Sequence, residues 1–311
     1  MTRPFQFLAD ARAPMTAREL SERARRAEEA GFHAFVVPDH LLDQLSPVPA
    51  MAVIATATER LRIGGFVFNN DLRHPAVLAQ DLASLDVLSQ GRLDVTIGAG
   101  WNQAEYDAIG LALDPGPARV SRLEEAVAVL KGCFGDGPFS FEGSHYRITD
   151  HDAGPKPVQR PHPPFMIGGG GRRILSLAAR EAQIVGLAPT AAGSELRRFA
   201  RDTTQRQVAW VREAAGERFD ELTLNVYPSF HPLTVTDDAR GEARRVADML
   251  RQRGVVDLTE DEVLDSPHLY IGSVDALVEK VQGLREELGI SSFMLGEPDE
   301  MLPIVQRLAG S

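Results

Sequence analysis

One cysteine, Cys133, stands in the whole chain, so no intrachain disulfide can form. It lies in the apolar helical stretch Val129-Leu130-Lys131-Gly132-Cys133-Phe134, where it reads as a small buried hydrophobe and not a nucleophile. No apolar run reaches the length needed to span a bilayer, and no signal-peptide pattern is seen. The expected compartment is the cytoplasm, with no membrane partner. Positive charge is in deficit: 33 Lys and Arg against 44 Asp and Glu give a net charge of −11. An acidic surface disfavours nucleic acid and anionic membranes as general partners. HExxH and CxxC are missing. The histidines besides His40 (His33, His74, His145, His151, His162, His231 and His268) have no metal-ligand spacing, so no metal is expected. No G-x-S-x-G elbow supports a serine hydrolase. Low-complexity tracts and short repeats are also missing.

What is present is an alternation of short apolar runs with longer amphipathic ones. Strands are expected at 4–9, 34–37, 61–68, 92–99, 164–167, 184–187, 222–227 and 292–295. Helices are expected at 16–30, 49–58, 75–88, 120–134, 174–181, 194–215, 237–253 and 274–288. Thr16 with Glu19 forms a capping box, Gly31 ends that helix, and Pro75 starts another where proline costs least. Eight strands alternating with helices indicate a parallel sheet, either open and doubly wound or closed. With no break in composition, the expectation is an α/β fold, a single (β/α)8 TIM barrel over 1–311. The length of 311 exceeds the roughly 250 residues of such a barrel, leaving about 60 for insertions. The main insertion runs over 135–163, with a hairpin in its first half. A second irregular stretch runs over 254–270.

Barrel chemistry gathers at the C-terminal ends of the strands. After the second strand come Asp39 and His40. A histidine can move a proton there and a carboxylate can orient it; the alternative is a histidine that supports a loop. The third strand carries Gly64 and Gly65, then Asn69 and Asn70, read as a bulge or as the close approach of a flat ligand. The fourth ends Gly98-Ala99-Gly100-Trp101-Asn102, followed by Glu105 and Tyr106. Its small residues can let a ring near the backbone, and Trp101 can wall a pocket or pack under a loop. The fifth runs into Gly168-Gly169-Gly170-Gly171-Arg172-Arg173. Consecutive glycines at a helix N-terminus let amides converge on an anion, and Arg172 can add charge. A flexible turn is the competing reading. The residues alone give a phosphate site and a strand-end pocket, not a reaction.

Leu61-Arg62-Ile63-Gly64-Gly65-Phe66-Val67 with Arg73-His74-Pro75-Ala76-Val77-Leu78-Ala79 resembles the third strand and helix of the luciferase-like monooxygenase superfamily. Leu85 to Leu93, Ile97 to Trp101, Pro164 to Gly171 and Ile271 to Asp275 match further blocks in order. The resemblance implies a bacterial-luciferase-like barrel using FMN or coenzyme F420, and the branch is more similar to the F420-dependent oxidoreductases. It implies that His40 is the proton donor or acceptor and that Asp39 orients it or binds the ring edge. Glu105 is a second acid/base candidate. Phe66, Val67, Asn69, Gly98, Ala99 and Gly100 would back the cofactor, with a cis peptide at Phe66-Val67. Gly168, Gly169, Gly170, Gly171 and Arg172 would hold phosphate, and Trp101 and Asn102 would meet a small-molecule substrate. A homodimer is implied as well. The chain departs from the pattern at Ala182-Gln183-Ile184-Val185-Gly186, where many members read Ala-Asp-Gly-Trp, and in the short stretch between Leu41 and Pro49. Two other functions remain open: an FMN-dependent monooxygenase, and a non-catalytic flavin-binding protein.

Overall fold

The structure is a computed structural model that describes residues 3–189, 198–227, 233–254, 257–295 and 298–311. His231 and the first residues of the helix expected over 194–215 lie outside the described residues.

Two compact units divide the chain. One comprises Met1–Asp10, Glu29–Ala34 and Gly168–Ser311; the other comprises Ala11–Glu28 and Phe35–Ile167. The strands are β1 (Gln6–Asp10), β2 (Ala34–Val37), β3 (Arg62–Gly65), β4 (Phe68–Asn69), β5 (Leu93–Gly98), β6 (Phe139–Glu142), β7 (Arg147–His151), β8 (Phe165–Gly169), β9 (Ile184–Leu187), β10 (Thr223–Val226), β11 (Thr234–Val235), β12 (Ile271–Gly272) and β13 (Ile290–Phe293). The main ladder runs β3-β2-β1-β13-β10-β9-β8-β5-β4, and β3 also pairs with β5, so the order returns to its start. Pairs β1–β13, β10–β13, β9–β10, β3–β5 and β4–β5 are parallel. This is the (β/α)8 barrel, with β3 and β4 together as its third strand. Burial on both faces accounts for the apolar character of β2 and β5, all of whose residues are buried.

Within the second unit, α2 (Pro47–Ala57), α3 (Pro75–Leu88), α4 (Gln103–Ile109) and α5 (Gly116–Phe134) follow their strands. The third strand, expected as one run, is in two pieces. Between them the Phe66–Val67 peptide is cis. Phe68 folds back over Gly65, where a Cβ would lie 2.8 Å from the Phe68 ring. Thr96 Oγ1 donates to Gly65 O at 2.7 Å. So the strand glycine serves a close approach by the protein's own ring.

The insertion over 135–163 holds the antiparallel hairpin β6–β7. Two carboxylates tether it to the helices beneath. Glu125 on α5 accepts from the amides of Ser144, His145 and Tyr146 at 2.8, 2.8 and 3.0 Å. Burial raises the Glu125 pKa, but the three amides outweigh it and hold the carboxyl below its ordinary value. Asp86 on α3, fully buried, accepts from the amides of Val158 and Gln159 at 2.7 and 3.0 Å, and from Gln159 Nε2 at 2.7 Å. Cys133 is buried, and desolvation pushes its thiol pKa up, as suits an inert core residue.

In the first unit lie α6 (Arg172–Glu181), α7 (Arg201–Ala215), α8 (Ala239–Gln252), α9 (Glu260–Asp265), α10 (Val274–Leu288) and α11 (Pro298–Leu308). The stretch read as irregular over 254–270 contains α9, started by a capping box of Thr259 and Glu262. A satellite core joins Phe199, Ala243, Val246, Leu250, Val263 and Ile271. The terminal helix α11, unforeseen from sequence, buries Met301, Ile304, Val305 and Leu308. The remaining helix, α1 (Ala17–Glu29), carries the expected capping box: Thr16 N donates to Glu19 Oε2 at 2.7 Å and Glu19 N to Thr16 Oγ1 at 3.3 Å.

Candidate active site

Within the second unit, the segments that follow β2, β4 and β5 bring their polar side chains together. His40 and Glu105 are 65 positions apart in sequence, yet His40 Nδ1 lies 2.8 Å from Glu105 Oε1. Glu105, in the first turn of α4, is only 7% exposed, while the His40 side chain is 27% exposed. Glu105 also accepts from Leu41 N at 3.0 Å and from the Asn102 side-chain amide. A carboxylate can only accept, so His40 carries its proton on Nδ1 and presents Nε2 as its second functional atom. The Trp101 ring meets His40 edge-on, with centroids 5.8 Å apart, and is itself 63% exposed.

The two acids near His40 have different partners. Asp39 does not orient His40. Its buried carboxylate takes both guanidinium arms of Arg73, at 2.6 and 3.0 Å, and Asn69 N at 2.9 Å. A two-pronged, charge-assisted pair with a complete fork is the stronger partner. Glu105, expected as a second acid/base candidate, is the acid that pairs with the imidazole.

A second knot lies beside the first. Tyr106 Oη lies 3.0 Å from Asn69 Oδ1 and 2.9 Å from Asp71 Oδ2. Burial, followed by the nearby Asp71 charge, pushes the Tyr106 pKa up to about 12. Arg122 binds Asp71 at 2.8 Å and also pairs with Asp114. Its bond to Asp71 is the largest cause of an upward pKa shift. Arg119 donates to Ala99 O at 3.1 Å and to Gly100 O. Gly100 has φ of 73°, and a Cβ there would fall 2.1 Å from Tyr106 Oη and 2.6 Å from Asn69 Oδ1. Tyr106 and Asn69 take the space that a side chain at position 100 would need. Asn69 likewise spends its carbonyl on Tyr106 and on Asp71 N. Gly98 ends β5 fully within the core, and Ala99 is half-buried beside it.

The glycine run belongs to the first unit. Gly168 and Gly169 finish β8, Gly170 follows, and Gly171 is the N-cap of α6 with no side chain to close the helix start. A Cβ on Gly169 would sit 2.4 Å from Ile174 Cγ2, so that glycine permits tight strand–helix packing. A Cβ on Gly171 would meet nothing within 4 Å. A helix start with no side-chain cap and with open space beside Gly171 fits an anionic tail. The Arg172 side chain instead pairs with Glu213, at 2.8 Å, with both partners well exposed. This is an exposed ion pair with Glu213 on α7, of little energetic weight. Among the described residues, no group of three or more His, Cys, Asp or Glu is placed to hold a metal, and no helix is long and apolar enough to cross a membrane.

A family profile described as luciferase-like monooxygenase matches residues 1–292. The chain belongs to the luciferase-like monooxygenase family. Among its relatives in that family, an FMNH(2)-dependent dimethylsulfone monooxygenase of Pseudomonas putida is 35% identical over 163 residues, 50% of this chain and 45% of the relative. An F420-dependent glucose-6-phosphate dehydrogenase of Microbacterium testaceum (strain StLB037) is 31% identical over 173 residues, 53% of this chain and 51% of the relative. The chain thus spans about half the length of the curated relatives it matches. The fold is shared with a solved F420-dependent secondary alcohol dehydrogenase in complex with an F420-acetone adduct, with a TM-score of 0.78, 20% identity and 98% of each chain covered.

Sequence reasoning singled out His40, Glu105 and the glycine run; it did not single out Arg73, Asp71 and Arg122, which the structure ties to Asp39, Tyr106 and Asp114. Arg73 opens the stretch Arg73 to Ala79, and only the fold reveals that it claims Asp39.

Proposed function

We propose that this luciferase-like family member is an oxidoreductase that uses coenzyme F420, with His40 moving a proton while a hydride passes to or from a small organic substrate. The observation that carries this reading is the His40–Glu105 pair: a half-buried imidazole, beyond the C-terminal end of a barrel strand, fixed through Nδ1 by a buried carboxylate. The bound deazaflavin would supply a two-electron hydride acceptor or donor. His40 supplies what hydride transfer alone leaves unbalanced. When an alcohol loses its C–H pair as hydride, its O–H proton goes to Nε2; in the reverse direction Nε2 returns the proton to the carbonyl oxygen. Glu105 keeps the same ring nitrogen presented throughout, and Asn102 helps hold the carboxylate. Trp101 stands beside the imidazole at the solvent edge, where it can cover a bound substrate. The amides of Gly171 and Arg172, at the start of α6, would take the cofactor phosphate.

The similarity to F420-dependent relatives supports the choice of cofactor. A second reading, an FMN-dependent monooxygenase, is favoured by the 35% identity to the dimethylsulfone enzyme. Fluorescence titration of the apoprotein with F420 and with FMN separates them. Tighter binding of F420 is expected; tighter binding of FMN replaces the first reading with the second.

A further inference from the structure

Gln207 is the residue that the chemistry so far leaves unused. It lies on α7, is 1% exposed, and reaches the end of the glycine run. Its Nε2 donates to Gly170 O at 3.0 Å and to Ala188 O at 2.8 Å. Both partners are carbonyls, so the amide orientation is forced: the nitrogen faces them and the oxygen faces away. That oxygen, Oε1, is buried and has no hydrogen-bond partner. A buried glutamine with half its amide unsatisfied is a poor packing residue, because an apolar side chain of the same length would avoid the loss. What the glutamine offers in return is its two N–H bonds, and one of them grips the glycine run.

The consequence follows from peptide planarity. In a trans peptide the C=O of one residue and the N–H of the next point in opposite directions. Three successive planes are anchored by their carbonyls. Gly169 O accepts from Ala188 N at 3.0 Å, Gly170 O from Gln207, and Gly171 O from Leu175 N at 3.1 Å. The N–H groups of Gly170, Gly171 and Arg172 are therefore turned away from those anchors. Two of the three anchors are backbone groups that any sequence would supply. The middle one is a side chain, and it acts on glycines whose intrinsic freedom is greatest.

We propose that Gln207 is the positioning residue of an anion cradle at the N-terminus of α6, fixing the Gly170–Gly171 peptide so that its amide faces a phosphate ester. The inference rests on the cofactor reading above and adds to it the residue that shapes the phosphate subsite. Gln207 does not touch the ligand. It acts through the backbone by removing the rotational freedom of one peptide plane before the anion arrives, which lowers the ordering cost of binding.

The test compares ligands with and without phosphate: F420 against its phosphate-free deazaflavin riboside, and FMN against riboflavin. Wild-type protein is expected to bind the phosphorylated member of at least one pair more tightly. Gln207→Met keeps length and volume but has no donor. It should weaken binding of the phosphorylated ligand by about tenfold, leave the phosphate-free ligand unchanged, and raise the cofactor KM without altering kcat at saturation. A role in folding alone would weaken both members of the pair equally. If Gln207→Met does not accumulate as folded protein, Gln207→Leu, which also lacks a donor, is read in the same way. Retained phosphate preference in either folded variant, or equal loss for both ligands, overturns the role of Gln207. A wild type with no phosphate preference in either pair overturns the cradle itself.

Discussion

If Glu105 works by holding His40, then replacing it should do nothing further once His40 is gone. Three donors converge on the Glu105 carboxylate: His40 Nδ1, Leu41 N and the Asn102 amide. Glu105→Gln keeps the shape but exchanges one accepting oxygen for an NH2 group. At least one of the three donors then faces another donor in a buried place. The loss is about 2 kcal/mol of positioning, or about thirtyfold in kcat. His40→Ala removes the proton carrier and should cost about a hundredfold or more. The double variant should match His40→Ala, because the carboxylate then has no imidazole to hold. Steady-state turnover at saturating cofactor measures all three. Independently of substrate, nitrogen NMR of labelled histidine should find the His40 proton on Nδ1 in the wild type and a tautomer mixture in Glu105→Gln. Losses that multiply in the double variant would refute the reasoning, as would an unchanged tautomer in Glu105→Gln.

Acid should unfold the protein partly through His268. Burial, aided by the nearby Lys280 charge, pushes its pKa down to about 4 from 6.5, while Tyr227 O at 3.1 Å opposes the shift. The unfolded chain binds that proton below pH 6.5 and the folded chain only below about 4. Stability is thus intact above 6.5 and falls as pH drops through that window, by up to about 3 kcal/mol. Urea denaturation against pH should show this slope, and His268→Gln should flatten it. Gly100→Ala should cost about 2–4 kcal/mol, because the left-handed backbone and the Tyr106 hydroxyl both reject a Cβ. An unchanged melting temperature in that variant would contradict the described knot.

Where local chemistry decided the structure, the sequence was legible. Strand 34–37, helix 75–88, strand 184–187 and helix 274–288 lie where periodicity and Pro75 put them. Helix α9 was readable too, since Thr259 and Glu262 spell a capping box, but its six residues show little periodicity. Helix α4 hid for the same reason, and α11 because Pro303 stands inside it. The acids illustrate a different limit. Asp39 precedes His40 in sequence, so adjacency suggested a pair. In a strand-like segment, neighbouring side chains point to opposite faces, so Asp39 meets Arg73 while His40 meets Glu105 from another element. The choice depends on long-range closure, which no short window contains.

The grip of Glu125 on Ser144, His145 and Tyr146 falls on main-chain amides, and so does most of the grip of Asp86 on Val158 and Gln159. A tether of this kind is indifferent to the identity of what it holds. Side chains at 144 and 145 can be exchanged wholesale while the hairpin stays seated; proline alone lacks the hydrogen that the carboxylate needs. The segment over 135–163 is thereby an exchangeable cassette: its outer residues can diversify while two inward-facing acids preserve the seat.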